Sequence, residues 1–201
     1  MIKNIIFDFG RVLVDYQFRK RVDSWGMSAS EMADFETSIL SMEWVLKIDK
    51  GEKPFGAYID ELKGLYPHIA PYFQRFHDEF ELFITGQIPG MYELLQELKE
   101  NGYKLYGLTN WSDSIYPILK KYPIFQLLDG MLISSEEKLI KPDVAIYNRL
   151  FEKFNLKPEE CIFIDDNSKN VEGSEKAGMK AILFLGAEDC RQKINSAMIR
   201  G

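Results

Sequence analysis

The polar residues of greatest chemical potential in this chain stand at the ends of apolar runs. Asp8 closes "NIIFD", Thr109 and Asn110 close "YKLYGLTN", Lys141 follows "GMLIS" through the loop "SEEKLIKPD", and Asp165 and Asp166 close "CIFIDD". Three carboxylates brought together repel one another, and burial raises their pKa values further. A cluster that stays ionised therefore needs a compensating cation. Oxygen donors with neither His nor Cys among them select a hard ion such as Mg²⁺. Magnesium held by one or two carboxylates and a substrate phosphate is the usual arrangement for phosphoryl transfer. In that chemistry Lys141 adds positive charge for the transferring group, and Thr109 and Asn110 add hydrogen-bond donors. An aspartate can itself attack, forming an aspartyl-phosphate that water then hydrolyses.

These residues can meet only if one sheet delivers them to a common edge. The runs Ile2–Phe7, Tyr103–Thr109, Gly130–Ser134, Cys161–Asp165 and Lys180–Gly186 have strand length and are apolar throughout. Helical patterns separate them, over Pro89–Gly102, Ser112–Lys121, Val144–Phe154 and Val171–Ala177. Apolar strands alternating with helices indicate a parallel sheet covered on both faces. In such sheets ligands bind beyond the carboxyl ends of the strands, where the strand order reverses. From about Tyr16 to Phe83 the alternation stops and only helical patterns remain. Ser28 and Glu31 form a capping box ahead of one of them, and Pro54, Gly64 and Pro67 bracket another. The expected architecture is α/β: a Rossmann-like three-layer core with a parallel sheet, residues 1–14 and 89–201, and an inserted α-helical bundle cap, residues 15–88.

The 201 residues are 46% hydrophobic, enough for a sizeable core, and the formal charge of −6 argues against a nucleic-acid or anionic membrane surface. Cys161 and Cys190 match no metal spacing, and one possible pair is no disulfide framework. Cys161, at the head of an apolar run, is expected in the core. No apolar run reaches the ~18–20 residues that span a bilayer, and the N-terminus lacks the pattern of a secretory signal. A cytoplasmic protein with a small-molecule partner is expected, as a monomer, with a dimer as the alternative.

Asp8 in "IIFDFG", Thr109 in "LYGLTN", Lys141 in "KLIKPD" and Asp165-Asp166 in "IFIDDN" resemble, in order, the four motifs of the haloacid dehalogenase superfamily. The resemblance covers essentially the whole chain, and the helical insertion is similar to that superfamily's small cap. It is strongest to the phosphatase-like members, over "KPDVAIYNRLFEKFNLKPEECIFIDDNSKNVEGSEKAGM". It implies that Asp8 is nucleophile and metal ligand, with the backbone carbonyl of Gly10 as a second ligand. Thr109 would hydrogen-bond the phosphoryl oxygens with help from the backbone N–H groups after Asp8, Asn110 would be a substrate-binding residue beside it, and Lys141 would steady both Asp8 and the phosphate. Asp166 would bind Mg²⁺ directly, and Asp165 directly or through water, with Asn170 as a polar neighbour. Arg11 stands where the family often has Gly. It reads either as a guanidinium at the substrate entrance or as a solvated loop residue.

Gly10 departs from the pattern, because many of the family's phosphatases carry there a second Asp that protonates the leaving oxygen. Positioned acid–base groups contribute roughly 10²–10⁴-fold. Three readings follow. One is a phosphatase for a small phosphorylated metabolite with a good leaving group, such as a sugar 1-phosphate, or one that borrows an acid from the cap. Another is a 2-haloacid dehalogenase, whose halide leaves without a proton, although that reaction leaves the Asp165-Asp166 pair unexplained. The third is a catalytically weak phosphate-binding or interaction protein. In the cap, Trp44, Lys47 and Glu52 are candidates for sugar contact, and His68 and His77 are candidates to replace the acid. Their expected roles are nonetheless structural or exposed. Trp111 is expected in the cleft, and Tyr72, Phe73, Phe76, Phe80 and Phe83 in the cap's core. Hinges are expected near Val14–Tyr16 and Gly86–Gly90, and the tail "AEDCRQKINSAMIR" reads as a surface helix.

Overall fold

The computed structural model describes residues 1–199. Seven strands form in it: β1 (Asn4–Phe7), β2 (Val14–Tyr16), β3 (Ile84–Gln87), β4 (Lys104–Thr109), β5 (Gly130–Ile133), β6 (Cys161–Asp165) and β7 (Lys180–Leu183). Five of them make a parallel sheet in the order β5-β4-β1-β6-β7. After β5 the chain crosses back over β1, so the order reverses beside β1 and β6, the strands that end in Asp8 and Asp165. This is the crevice position at which open parallel sheets bind ligands.

Successive side chains of each strand enter opposite cores, which is why the strands read as unbroken apolar runs. On one face Ile5, Phe7, Leu105, Ile162 and Ile164 pack with Leu94, Leu95 and Leu98 of α6 (Met91–Glu100), Ile118 of α7 (Tyr116–Lys121) and Ile194 of α11 (Ala187–Ile199). On the other face Ile6, Leu108, Leu132 and Phe163 pack with Ile146, Tyr147 and Leu150 of α9 (Val144–Phe154). The three layers are those expected.

The insertion is helical: α1 (Phe18–Val22), α2 (Ala29–Ile39), α3 (Met42–Lys50), α4 (Phe55–Leu65) and α5 (Ala70–Asp78). Helix α2 starts at the expected capping box, with the Glu31 amide donating to Ser28 Oγ and the Ser28 amide to Glu31. Phe35, Phe73, Phe76 and Phe83 form an apolar cluster separate from those of the sheet, with Phe35 and Phe73 ring centroids 5.2 Å apart. Tyr72 and Phe80 pack against it half-buried.

Several boundaries differ from expectation for local reasons. Strands β2 and β3 pair antiparallel, Val14 opposite Gln87 and Tyr16 opposite Ile84, so the expected hinge Val14–Tyr16 and the first two residues of the expected hinge Gly86–Gly90 belong to one two-stranded ribbon. Three residues and the mixed "ITGQ" are too short and too polar to read as strands. The stretch after Ser112 is first a single 3-10 turn, because Ser112 Oγ accepts from the Ser114 amide, and α7 begins only at Tyr116. Ser134, expected to end a strand, opens the one-turn helix α8 (Ser134–Glu137). Helix α10 (Ser168–Lys176) starts three residues earlier than expected, since the Asn167 side chain caps it by accepting from the Lys169 amide. The tail forms the expected surface helix as α11, with Cys190 and Ile194 fully buried on its inner face. Arg200 and Gly201 lie outside the described residues. Cys161 is buried as expected.

The cap is docked on the core. Ser134 Oγ donates to the Asp49 carbonyl at 2.5 Å, Lys138 Nζ donates to the Gly51 carbonyl, and the Phe55 amide donates to Asp113 at 2.8 Å. Gly51 ends α3 in the left-handed region at φ 64°, and a Cβ there would lie 2.3 Å from Ser135 Cβ. Only glycine permits this approach.

Candidate active site

The first element of the site is the turn after β1. The Phe9 carbonyl accepts from Leu13 at 2.9 Å and Val14 at 3.0 Å, and the Arg11 amide donates to the Val14 carbonyl at 2.7 Å. Phe9 is buried against Phe125 and against the bare Cα of Gly107, where a Cβ would lie 2.3 Å from its ring. This tight loop holds Asp8 at the sheet edge. Arg11 sits at φ 61°, a conformation that suits glycine, which accounts physically for the family's frequent Gly at its position.

Lys141 comes from the loop between α8 and α9 and is almost wholly buried. Asn110, the residue after β4, fixes it: its amide nitrogen donates to the Lys141 carbonyl at 3.0 Å, and its oxygen accepts from the Lys141 amide at 2.8 Å. The ammonium has three acceptors, Asp8 Oδ1 at 2.8 Å, Asp165 Oδ2 at 2.7 Å and the Leu108 carbonyl at 3.0 Å. All three of its protons are thereby engaged. Burial opposes its charge, but Asp8 and Asp165 outweigh burial and hold it protonated beyond the ordinary lysine range.

Asp165 is fully buried and fully bonded. Besides Lys141 it accepts from the Asn167 amide at 2.8 Å and from the Asn170 side chain at 3.0 and 3.1 Å. Asn170 is fixed in turn by Tyr147, whose hydroxyl donates to its carbonyl at 2.8 Å. Asp166 is half-buried, and its carboxylate has no ion pair or hydrogen bond to another side chain among the described residues. Burial and Asp165 raise its pKa, against Arg11 and Lys141. Burial, with Asp165 adding to it, pushes Asp8 up to about 6 despite Lys141.

One oxygen each of Asp8, Asp165 and Asp166 lie within 4.8 Å of one another. Three carboxylates against one lysine leave excess negative charge beside the sheet edge, and the donors are oxygens only. That set fits a hard divalent cation. Asp8 and Asp166 have free oxygens for one, whereas the oxygens of Asp165 are already occupied by hydrogen bonds.

A cavity of about 730 Å³ joins Asp8, Gly10, Arg11, Thr109, Lys141 and Asp166 to the cap. Asn110 lines it too, but its amide is committed to the Lys141 backbone. Thr109 is buried, and its hydroxyl has no partner among the described side-chain bonds, so it is available to a ligand. Trp111 lines the cavity as expected. Trp44, Lys47, Glu52, His68 and His77 do not line it: Trp44 packs on Tyr58, His68 bonds Asp34 at 2.9 Å, and His77 stacks on Phe55. Neither histidine stands where an acid is missing.

One functional candidate escaped the sequence reading. Asp49, in the last turn of α3, contributes a carboxyl to the cavity from the cap side. Burial raises its pKa to about 7, with Asp8 adding to the rise and Lys141 opposing it. The signal was a carboxylate adjoining Val45 and Ile48 at helical spacing, an acid on the apolar stripe of an amphipathic helix.

Comparisons with known proteins agree with this geometry. The family model described as "Haloacid dehalogenase-like hydrolase" matches residues 5–184. Among curated relatives, a sesquiterpene phosphatase of Aspergillus oryzae is 31% identical over 90 residues, 44% of this chain and 46% of that protein. A phosphorylated carbohydrates phosphatase of Thermotoga maritima is 23% identical over 188 residues, 89% of this chain and 82% of that protein. An (S)-2-haloacid dehalogenase of Burkholderia cepacia is 30% identical over 126 residues, 62% of this chain and 51% of that protein. The chain spans about half the length of the first curated relatives it matches. Two solved structures share its fold. One is a predicted HAD-like family hydrolase of Porphyromonas gingivalis, with a TM-score of 0.77 at 23% identity and 98% of each chain covered. The other is a magnesium complex of a HAD family enzyme of Bacteroides thetaiotaomicron, with a TM-score of 0.75 at 21% identity, covering 94% of this chain and 96% of that one. Among the described residues no helix is long and apolar enough to cross a membrane.

Proposed function

This chain belongs to the haloacid dehalogenase-like hydrolases, and from that premise we propose that it hydrolyses a phosphomonoester of a small metabolite through an aspartyl-phosphate on Asp8. The observation that carries the reading is the buried Asp8–Lys141 pair at 2.8 Å beside Asp166, a carboxylate left without a side-chain partner. Mg²⁺, held by Asp8, Asp166 and the Gly10 carbonyl, would neutralise phosphoryl charge when bound. The magnesium complex of the Bacteroides thetaiotaomicron relative supports that choice of ion.

The chain's own residues supply the remainder. Lys141 holds Asp8 Oδ1 and leaves Oδ2 to attack phosphorus. Thr109 donates to a phosphoryl oxygen, with backbone amides after Asp8 assisting. As the Asp8–phosphorus bond forms, the ester bond breaks and a good leaving group departs as its anion, which solvent protonates on release. Water then attacks phosphorus, the Asp8–phosphorus bond breaks, and inorganic phosphate leaves with the Asp8 carboxylate restored. Asp165, bonded to Lys141, keeps the ammonium in place. Asn110 acts through the Lys141 backbone, and Arg11 at the cavity wall is placed to meet an anionic substrate. Gly10 offers no acid, so good leaving groups are favoured, and sugar 1-phosphates meet that requirement. A docked cap excludes water while the acyl phosphate forms and then moves to release product. The setting we propose is a cytoplasmic monomer.

The phosphatase names among the relatives support this reading. The Burkholderia cepacia relative favours a second one, in which Asp8 attacks carbon and halide leaves. The test is phosphate release from phenyl phosphate with Mg²⁺, expected to vanish with chelator and in Asp8→Asn. Halide release from a 2-haloacid in chelator would establish the second reading instead. Silence in both assays with Mg²⁺ still bound would indicate a binding protein.

A further inference from the structure

The cavity has two ends of different character. The core end holds the carboxylates, Lys141 and the free Thr109 hydroxyl. The cap end is hydrocarbon. Of the cap residues that line the cavity, only Tyr16 and Asp49 carry polar side-chain atoms. The remainder of that wall is aliphatic and aromatic, including Ile39, Val45, Ile48, Phe55, Phe76 and Phe80. We infer that the site takes phosphomonoesters whose organic part is apolar, an aryl or unsaturated hydrocarbon phosphate in place of a sugar phosphate. The inference rests on the phosphatase reading and narrows its substrate class.

Two observations carry it. First, the wall cannot satisfy a sugar. A hexose carries several hydroxyls, and each one desolvated without a partner costs roughly tenfold in affinity. Tyr16 and Asp49 are too few on the cap side. On the core side Asn110 is committed to the Lys141 backbone and the Asn167 oxygen to its cap of α10, which leaves Arg11, Lys169 and the Asn167 amide nitrogen, all on the core wall and none on the hydrocarbon wall opposite. Second, the apolar surface continues to the rim. Leu40, Met42 and Leu46, around the turn from α2 to α3, are 52%, 69% and 39% exposed, and all three line the cavity. None of the three belongs to the cap's core cluster, and together they extend a hydrocarbon track outward from the phosphate. A sugar 1-phosphate meets the leaving-group requirement set by Gly10 and fails the wall. An aryl phosphate meets both.

The test is kcat/KM with Mg²⁺ for phenyl phosphate and its 4-methyl, 4-propyl and 4-butyl homologues, whose leaving groups are nearly equally basic, beside glucose 1-phosphate. Each further CH₂ buried is worth up to about fourfold. The expected result is a rise of two- to fourfold per carbon, carried by KM, with glucose 1-phosphate below phenyl phosphate. In Leu46→Gln and Met42→Gln, both at exposed positions that leave folding intact, the slope per carbon should fall. A flat or falling series, or glucose 1-phosphate above the butyl homologue, overturns the inference while leaving the phosphatase reading standing. Absence of Mg²⁺-dependent turnover on every ester overturns the phosphatase reading and this inference with it.

Discussion

Restoring a carboxyl at position 10 isolates the chemical consequence of the glycine. The Cβ of an aspartate fits there without rearrangement. A Cβ added to Gly10 would lie 3.8 Å from the Trp111 ring, an ordinary van der Waals contact, and the Gly10 backbone is outside the left-handed region. Gly10 also lines the cavity beside Asp8, so the new carboxyl enters the reaction space. Neighbouring carboxylates raise its pKa and favour the protonated, acid form. A positioned acid contributes roughly 10²–10⁴-fold, about 3–5.5 kcal/mol at 1.36 kcal/mol per factor of ten. It contributes most where the leaving oxygen is most basic. The assay is kcat/KM for 2-phenylethyl phosphate and phenyl phosphate, two apolar esters of similar size, in wild type and Gly10→Asp. Turnover of the alkyl ester should rise about 100-fold or more, and that of the aryl ester by less than about fivefold. Equal gains on both, or no gain on the alkyl ester in a folded variant, would refute the assignment of leaving-group selectivity to this position.

Other perturbations test the electrostatics. Lys141→Met leaves buried Asp8 and Asp165 facing each other without a cation, a loss of about 3–5 kcal/mol. Denaturant unfolding without metal should show that loss at pH 8 and a smaller one at pH 5, where Asp8 takes up a proton. Asp49 carries a pKa raised from 3.8 to about 7, so folded protein keeps a proton that the unfolded chain has released. Stability conferred on the wild type therefore declines as pH rises from about 4 to about 7 and levels off above. Asp49→Asn should be more stable than wild type at pH 8 and equal to it near pH 4. The ceiling is about 4 kcal/mol for three pKa units, lowered because opening the cap hydrates the carboxylate; thermal melts at the two pH values check it. Asp113→Ala removes the acceptor of the Phe55 amide and should loosen the cap, seen as faster hydrogen exchange in α4 with the sheet unchanged.

The parts of the fold legible in sequence were those governed by burial. Strands β1, β4, β5 and β6 are hydrophobic on both faces, and this alone declares a covered parallel sheet whose ends collect Asp8, Thr109 and Asp165. The ribbon of β2 and β3 was not legible, because three or four residues with one polar face carry no period. The site divided in the same way. Residues following strands were found, since strand ends need no tertiary information. Their division of labour was hidden: Asn110 serves the Lys141 backbone, and Asp165 spends its oxygens on Lys141, Asn167 and Asn170. Those roles follow from distances between segments far apart in sequence. Asp49 was hidden for a similar reason, because only docking of α3 on α8 brings it beside Asp8. Trp44 looked like a ligand contact and packs on Tyr58 instead, as an aromatic on a helix generally does.

The account stands on covalent capture of phosphorus by Asp8. Wild-type protein mixed with 4-butylphenyl phosphate and Mg²⁺, quenched within the first turnover and reduced with borohydride, converts an aspartyl-phosphate to homoserine. Peptide mass spectrometry should find homoserine at position 8, and nowhere when magnesium is chelated. Continued turnover with residue 8 unmodified, or an adduct on a different residue, would contradict it.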